Sequence, residues 1–257
     1  MSLIVEQSAG RPGSPALYLI HGWAMHGGLF AGLCDHLDGY EIARIDLPGH
    51  GANRERPWPD DPAELIDEVA ELANDAWLVG WSLGGLIALM AALKDRWRPR
   101  GLALIAASPC FTRRDHWPHG VDDHLIEQMA AELEVAPERV LSRFFALEVQ
   151  GSRSASADLR SLKAAALRYG PPAPDALSNG LDLLRGTDLS RKLGDIDLPV
   201  ALIGGRRDRL IPWAALEATA SALPRARLVA VPGAAHAPFL ARPDAVAAAI
   251  TELIETT

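Results

Sequence analysis

WLVGWSLGGLIALMAAL, residues 77–93, is the uncharged stretch that decides the fold. Trp77–Val79 predicts a buried β-strand, and Leu83–Leu93 predicts a helix that is apolar on nearly every face. Between them, residues 80–84 read GWSLG and match the pattern G-x-S-x-G, in which a sharp turn exposes a serine, here Ser82. With Ala76, the uncharged run approaches the length of a membrane span. Its serine and glycines favour a strand, a turn and a buried helix instead.

Short apolar runs alternate with helical segments on both sides of this stretch. The apolar runs predict strands at Ala16–Ile20, Tyr40–Ile45, Leu102–Ala107, Val200–Ile203 and Arg227–Val231. Helical spacing and capping residues predict helices that begin near Pro62 or cover Trp213–Leu223 and Asp244–Ile254. Buried strands between helices are typical of a mostly parallel sheet with helices on both faces, so we expect the α/β class.

Residues 109–188 interrupt the alternation, because no strand pattern occurs in this part of the sequence. Helical patterns run from about Asp122 to Glu134, from Pro137 to Glu148 and from Ser156 to Tyr169, and a proline-rich break follows at Gly170–Pro174. The sequence therefore predicts a helical lid inserted at 109–188 into a core formed by 1–108 and 189–257.

Composition and charge narrow the possible functions. The chain has 257 residues, of which 49% are hydrophobic and 23% charged, as in ordinary globular proteins. Because the net charge is −8, we do not expect the protein surface as a whole to bind nucleic acid or an anionic membrane. Cys34 and Cys110 form no metal-binding pattern and are typical of free thiols in a reducing compartment. The first residues do not resemble a signal peptide, so we expect a cytoplasmic protein. We also expect a monomer that binds no metal.

Two further residues complete a candidate catalytic triad with Ser82. A serine hydroxyl needs an adjacent base to attack a carbonyl at neutral pH. His236 follows the predicted strand Arg227–Val231 and is the predicted base, and Asp208 follows Val200–Ile203 and is the predicted acid that orients it. The chain order Ser82, Asp208, His236 is that of the α/β-hydrolase fold, which the sequence therefore predicts.

Other histidines and aspartates are weaker candidates. We expect His116, His119 and His124 at the surface of the insertion, whereas His50 could line the site. Asp46 is expected to anchor its own turn.

The oxyanion formed when a serine attacks a carbonyl needs two backbone N–H donors. Leu83, which follows the nucleophile, is one predicted donor. Trp23, in the loop after Ala16–Ile20, is the other, and its indole would form a wall of the pocket. Packing of Trp23 into the core is an alternative interpretation that is compatible with this role.

Several motifs together resemble the BioH-type carboxylesterases of biotin synthesis, over nearly the whole chain. They are HGW at 21–23, DLPGHG at 46–51, GWSLGG at 80–85, SPCF at 108–111 with WP at 117–118, and AHAPF at 235–239. HG and G-x-S-x-G are common to α/β hydrolases, and the others are more specific. The resemblance implies hydrolysis of the methyl ester of pimeloyl carried on acyl carrier protein, without a metal or organic cofactor.

The resemblance also implies site residues in the lid. A phenylalanine-rich segment that joins the pocket corresponds to Phe144, Phe145, Ala146, Leu147 and Glu148. The family has Gln where Glu148 stands, so we expect an added negative charge near the ester pocket.

Basic lid residues are implied to dock the acidic carrier protein. Residues 115–138 hold seven acidic and no basic side chains, whereas 139–170 hold six basic and two acidic ones. Helical spacing puts Arg139 and Arg143 on one helix face and Arg160 and Lys163 on another. Ser156 stands where the family has Arg. An ordinary solvated helix face explains the charges equally well.

Alternative functions remain open from the sequence. The same fold hosts short-chain esterases, carbon–carbon bond hydrolases and haloperoxidase-like enzymes. A ligand-binding receptor with little turnover would also keep the triad. A dehalogenase is disfavoured, because its nucleophile would be Asp in place of Ser82.

Overall fold

Seven strands form one sheet in a computed structural model that describes residues 3, 5–8, 10, 11 and 13–257. The strands are β1 (Val5–Ser8), β2 (Ala16–Ile20), β3 (Glu41–Ile45), β4 (Trp77–Trp81), β5 (Gly101–Ile105), β6 (Val200–Gly205) and β7 (Ala226–Val231). Their order is β1-β3-β2-β4-β5-β6-β7, in which β1 runs antiparallel to β3 and the other neighbours are parallel. The expectation about a signal peptide falls partly on residues 1, 2, 4, 9 and 12, which lie outside the described residues.

Helices cover both faces of the sheet and form the insertion. They are α1 (Ala31–Cys34), α2 (Pro62–Leu72), α3 (Leu83–Ala92), α4 (Asp123–Val135), α5 (Pro137–Val149), α6 (Ala155–Arg168), α7 (Pro174–Gly186), α8 (Trp213–Ala222), α9 (Pro238–Ala241) and α10 (Pro243–Glu255). Among the described residues, no helix is long and apolar enough to cross a membrane.

The central strands follow from their composition. Every residue of β4, β5 and β6 is buried, as expected for apolar runs covered on both faces of a parallel sheet. Sequence signals also mark the start of α2, where the Asp61 carboxylate accepts a hydrogen bond from the Ala63 N–H at 2.9 Å and Pro62 occupies the first turn. Because β2, β4, β5, β6 and β7 are parallel, the loops after them meet at one edge of the sheet.

Helices α4 to α7 lie between β5 and β6, and the two ends of this insertion meet. Cys110 pairs with Asp188 in an antiparallel bridge, and the Leu189 N–H donates to the Pro109 carbonyl at 2.9 Å. Three of the four helices lie where sequence patterns predict them. The fourth, α7, and the edge strand β1 were not predicted from the sequence.

Candidate active site

Ser82 lies in a strained turn between β4 and α3. Its φ of +54° is in a region that residues with a side chain rarely adopt. The flanking glycines are required by close packing, since a Cβ at Gly80 would lie 2.4 Å from the Gly84 carbonyl oxygen. A Cβ at Gly84 would lie 2.2 Å from the Ile20 carbonyl oxygen of the neighbouring strand. The spacing of G-x-S-x-G thus reflects the tight passage from strand to helix.

Ser82, His236 and Asp208 are brought together by the loops that end three strands. The His236 Nε2 lies 2.9 Å from the Ser82 Oγ, and its Nδ1 lies 2.8 Å from an Asp208 carboxylate oxygen. The side chains of His236 and Asp208 are each 1% exposed, so this hydrogen-bonded series is shielded from water. A series in this order lets the serine hydroxyl pass its proton to the imidazole.

The surrounding backbone fixes the orientation of the imidazole. The second carboxylate oxygen of Asp208 accepts from the N–H groups of Leu210 at 2.8 Å and Ile211 at 2.9 Å. The first oxygen therefore faces His236, whose Nδ1–H donates to it and whose Nε2 accepts from Ser82. The Trp81 indole N–H donates to the His236 carbonyl at 2.9 Å and holds the loop against β4.

The two predicted oxyanion donors are Trp23, in the loop after β2, and Leu83, which directly follows Ser82. Leu83 is the first residue of α3, where a helix N-terminus favours negative charge. In the part of the chain that the structure describes, neither backbone N–H group donates to a backbone carbonyl. Ala24 follows Trp23 with a φ of +62°, which turns the loop sharply after this residue.

A buried histidine pair lies behind the loop of Trp23. The Nδ1–H of His21 donates to the Gly22 carbonyl at 2.7 Å, and its Nε2 accepts from the Leu47 N–H at 2.9 Å. Burial lowers the pKa of His21 to about 3, and that of His50, 5.0 Å away between ring centroids, to about 3 as well. Both rings are neutral at pH 7, so they tie the loops after β2 and β3 together without adding charge. The HGW motif by itself does not indicate that its histidine, His21, links these two loops.

The five predicted pocket residues on α5 do not share one face. Phe144 and Phe145 are buried, Leu147 is half-buried and Ala146 is exposed. Phe144 meets Trp23 edge to face, with ring centroids 4.8 Å apart. Phe144, Ala146 and Leu147 line a cavity of about 610 Å³ between α4, α5 and α6. Successive helix positions point in different directions, which separates residues that the sequence grouped together.

Glu148 lies beside the triad rather than in solvent. It is 1% exposed, and its backbone carbonyl accepts from the His236 N–H at 3.0 Å. Among the described residues, neither of its carboxyl oxygens has a hydrogen-bond partner. Burial, together with the nearby Asp208 carboxylate, raises the pKa of Glu148 well above its usual range. The uncharged acid is favoured, which differs from the expected negative charge because desolvation opposes ionisation.

The four predicted docking cations fall into two kinds. Arg139 and Arg143 on α5 both approach the Glu132 carboxylate of α4, at 3.7 and 2.7 Å. Arg160 and Lys163 on α6 are exposed, and neither forms an ion pair within the described ranges. The positive charge on α6 is therefore less neutralised than that of Arg139 and Arg143 on α5.

Sequence reasoning missed a contact between the insertion and the loop of Trp23. The Trp23 indole N–H donates to the carbonyl of Leu177 on α7 at 2.8 Å. Leu177 is distant from Trp23 in sequence, so local patterns carry no signal for it. The apolar spacing of Leu177, Leu181 and Leu184, with Pro174 at the helix start, is the signal that could have predicted α7 itself.

The sequence is similar to a known protein family and to individual proteins of known name. Residues 15–243 match the family model described as alpha/beta hydrolase fold. The chain is 43% identical over 241 residues to a pimeloyl-[acyl-carrier protein] methyl ester esterase of Xanthomonas oryzae pv. oryzae (strain MAFF 311018), covering 93% of this chain and 95% of that protein. A protein of the same name from Xylella fastidiosa (strain M23) is 40% identical over 245 residues, covering 94% and 96%.

Solved structures show the same architecture. An esterase from Exiguobacterium antarcticum superimposes with a TM-score of 0.86 at 20% identity, covering 98% of this chain and 95% of that one. A bromoperoxidase from Bacillus anthracis gives a TM-score of 0.84 at 20% identity, covering 98% and 94%. At this identity the likeness concerns the fold alone.

Proposed function

The chain belongs to the α/β-hydrolase family and, within it, to the pimeloyl-[acyl-carrier protein] methyl ester esterases, and from this membership we propose that it hydrolyses that ester in biotin synthesis. The reaction yields pimeloyl-[acyl-carrier protein] and methanol. One observation carries the chemical part of the proposal, namely the hydrogen-bonded series of Ser82, His236 and Asp208.

Acyl transfer to Ser82 is the first half of the proposed mechanism. The Ser82 Oγ attacks the ester carbonyl while the His236 Nε2 takes its proton. Asp208 keeps the Nδ1–H tautomer and stabilises the imidazolium. The backbone N–H groups of Trp23 and Leu83 stabilise the oxyanion, and the imidazolium then protonates the departing methoxide, so that methanol leaves.

Hydrolysis of the acyl-enzyme is the second half. His236 takes a proton from water, the resulting hydroxide attacks the acyl carbonyl, and the second oxyanion is held by the same two N–H groups. Collapse of this intermediate returns the proton to the Ser82 Oγ and releases the free carboxylate.

The insertion at 109–188 has two parts in this proposal, as a lid and as a docking surface. Phe144 and Trp23 provide apolar surface for the methylene chain of the substrate. The exposed cations on α6 attract an acidic carrier protein to a protein whose net charge of −8 would otherwise oppose the encounter.

Charge reversal tests the substrate class. We expect Arg160→Glu/Lys163→Glu to raise KM for the carrier-bound methyl ester, while KM and kcat for p-nitrophenyl acetate stay unchanged. The same change at Arg139 and Arg143 should act in the same direction but less strongly, because Glu132 already offsets part of their charge. Wild-type KM for the carrier-bound ester should rise with salt, since exposed charges are screened over roughly 10 Å at 0.1 M.

A matched control uses two arginines between α3 and β5, at the opposite edge of the sheet. Arg96→Glu/Arg98→Glu makes the same change in net charge and should leave both KM values as in wild type. An equal rise in KM for both substrates, or a KM that does not depend on salt, would exclude docking through α6. Ser82→Ala should abolish turnover of both esters, and sustained turnover by wild type would exclude the receptor interpretation.

A further inference from the structure

Gly180 occupies an unusual place for a glycine. It lies in the interior of α7, where glycine is among the least favourable residues. A Cβ at this position would lie 2.7 Å from the Trp23 Cδ1, 3.2 Å from the Trp23 Nε1 and 3.5 Å from a Leu83 methyl carbon. The missing Cβ therefore makes room for the side chains of both residues that carry the proposed oxyanion donors.

The indole of Trp23 has no room to move away from α7. It is 1% exposed, its Nε1–H donates to the Leu177 carbonyl at 2.8 Å, and the ring of Phe144 meets its ring at 4.8 Å. The backbone after it turns at Ala24, with a φ of +62°. We therefore expect a displacement of the indole to move the Trp23 backbone as well.

Helix α7 is itself fixed against the loop after β3. The Ala173 N–H, which precedes the helix, donates to the Gly49 carbonyl at 2.8 Å. A Cβ at Gly49 would lie 2.2 Å from the Ala176 Cβ, so the helix and this loop are in tight contact. The hydrogen bond tethers the start of α7 to this loop and so opposes a shift of the helix to accept a larger residue at 180.

We propose that α7 sets the geometry of the oxyanion hole, and that Gly180 is a positioning residue for the reaction. The inference rests on the proposed function, because it assigns Trp23 and Leu83 as oxyanion donors. Gly180 does not touch the reacting atoms in this account. It acts through the side chain of Trp23, which the Leu177 carbonyl and the absence of a Cβ at 180 hold in place.

Two alanine variants of one helix form the test. Gly180→Ala should lower kcat roughly tenfold, which is less than the roughly 10²–10³-fold cost of losing a whole donor. Gly186→Ala, at the end of α7 where a Cβ would meet nothing within 4 Å, should keep wild-type kcat. Both variants remove a helix glycine, so a general effect on helix stability would not separate them.

Three readouts distinguish positioning from a structural or pocket role. In Gly180→Ala, kcat should fall by the same factor for p-nitrophenyl acetate and hexanoate, while KM stays within about twofold. Affinity for a trifluoromethyl ketone, whose adduct with Ser82 carries an oxyanion, should fall by a similar factor. A loss confined to hexanoate would place Gly180 in the acyl channel and overturn the proposal.

The remaining outcomes are equally decisive. If wild type turns over p-nitrophenyl acetate and Gly180→Ala matches it in kcat and ketone affinity, the inference fails alone. If wild type shows no turnover, the proposed function and the inference both fail. Should Gly180→Ala not fold, Trp23→Phe removes the N–H that reaches Leu177, and a wild-type kcat in that variant would also overturn the proposal.

Discussion

Asp208→Asn should lower kcat by roughly 30-fold to 10⁴-fold without unfolding the protein, for a reason visible in its hydrogen bonds. One carboxylate oxygen accepts from two buried N–H groups, those of Leu210 and Ile211. An asparagine must keep its oxygen there, which turns its NH₂ group toward the His236 Nδ1. The imidazole is then forced into the tautomer with a proton on Nε2, which faces Ser82 and can no longer accept its proton.

The magnitude follows from the cost of the opposite orientation. Turning the amide over would leave two buried N–H groups without acceptors, at about 1–3 kcal/mol each. The sum of about 2–6 kcal/mol corresponds to roughly 30-fold to 10⁴-fold fewer molecules with the productive tautomer. The upper end agrees with the roughly 10⁴-fold loss expected when a triad histidine holds the wrong tautomer.

The assay is steady-state hydrolysis of p-nitrophenyl acetate, with circular dichroism to confirm the fold. Asp188→Asn is a matched control, because Asp188 contacts His116 at 2.7 Å and accepts from the Ser190 N–H in a similar pair at the base of the insertion. We expect Asp188→Asn to keep wild-type kcat. A kcat of Asp208→Asn within about tenfold of wild type would refute the tautomer argument and require another acid for His236.

Two further predictions concern α5. Burial raises the pKa of Glu148, so the folded protein keeps a proton that the unfolded chain loses, and stability falls as pH rises above the unfolded value. The unfolding free energy of Glu148→Gln relative to wild type should therefore rise as the pH increases above about 4, by up to about 1.4 kcal/mol per pH unit. Thermal unfolding at several pH values measures it, and a difference independent of pH would contradict the prediction. Phe144→Ala should reduce kcat/KM more for p-nitrophenyl hexanoate than for acetate, because the ring lies against Trp23 along the proposed acyl channel; equal losses for both esters would move the channel elsewhere.

The α/β-hydrolase fold was predicted from the sequence and is confirmed by the family match and by the structural neighbours. Its central strands were predictable because burial on both faces demands a continuous apolar run, as in Ala16–Ile20, whose observed bounds equal the predicted ones. The edge strand β1 reads VEQS and exposes three of its four residues. Its extended form depends on pairing with β3, a contact that local sequence does not encode.

The candidate site divides in the same way. Ser82, Asp208 and His236 were found from their places after strands, and the structure puts them within hydrogen-bond distance, while their catalytic roles remain predictions. The environment of Glu148 could not be predicted, because burial beside Asp208 arises only when α5 meets the loops after β6 and β7. The contact of Gly180 with Trp23 is of the same kind, since glycine in a helix gives no indication of what fills its space.

The meeting of the insertion's two ends, at Cys110 and Asp188, has a consequence for how such enzymes diversify. A segment whose ends are neighbours can be exchanged for a longer or shorter one at little cost in chain entropy, so the core tolerates grafting here. A graft must, however, keep two backbone hydrogen bonds that hold the catalytic loops in place. It must present one carbonyl to the His236 N–H, as Glu148 does, and one to the indole N–H of Trp23, as Leu177 does. Chimaeras between relatives should thus depend on these two backbone acceptors, together with the space for the Trp23 indole that Gly180 leaves in α7.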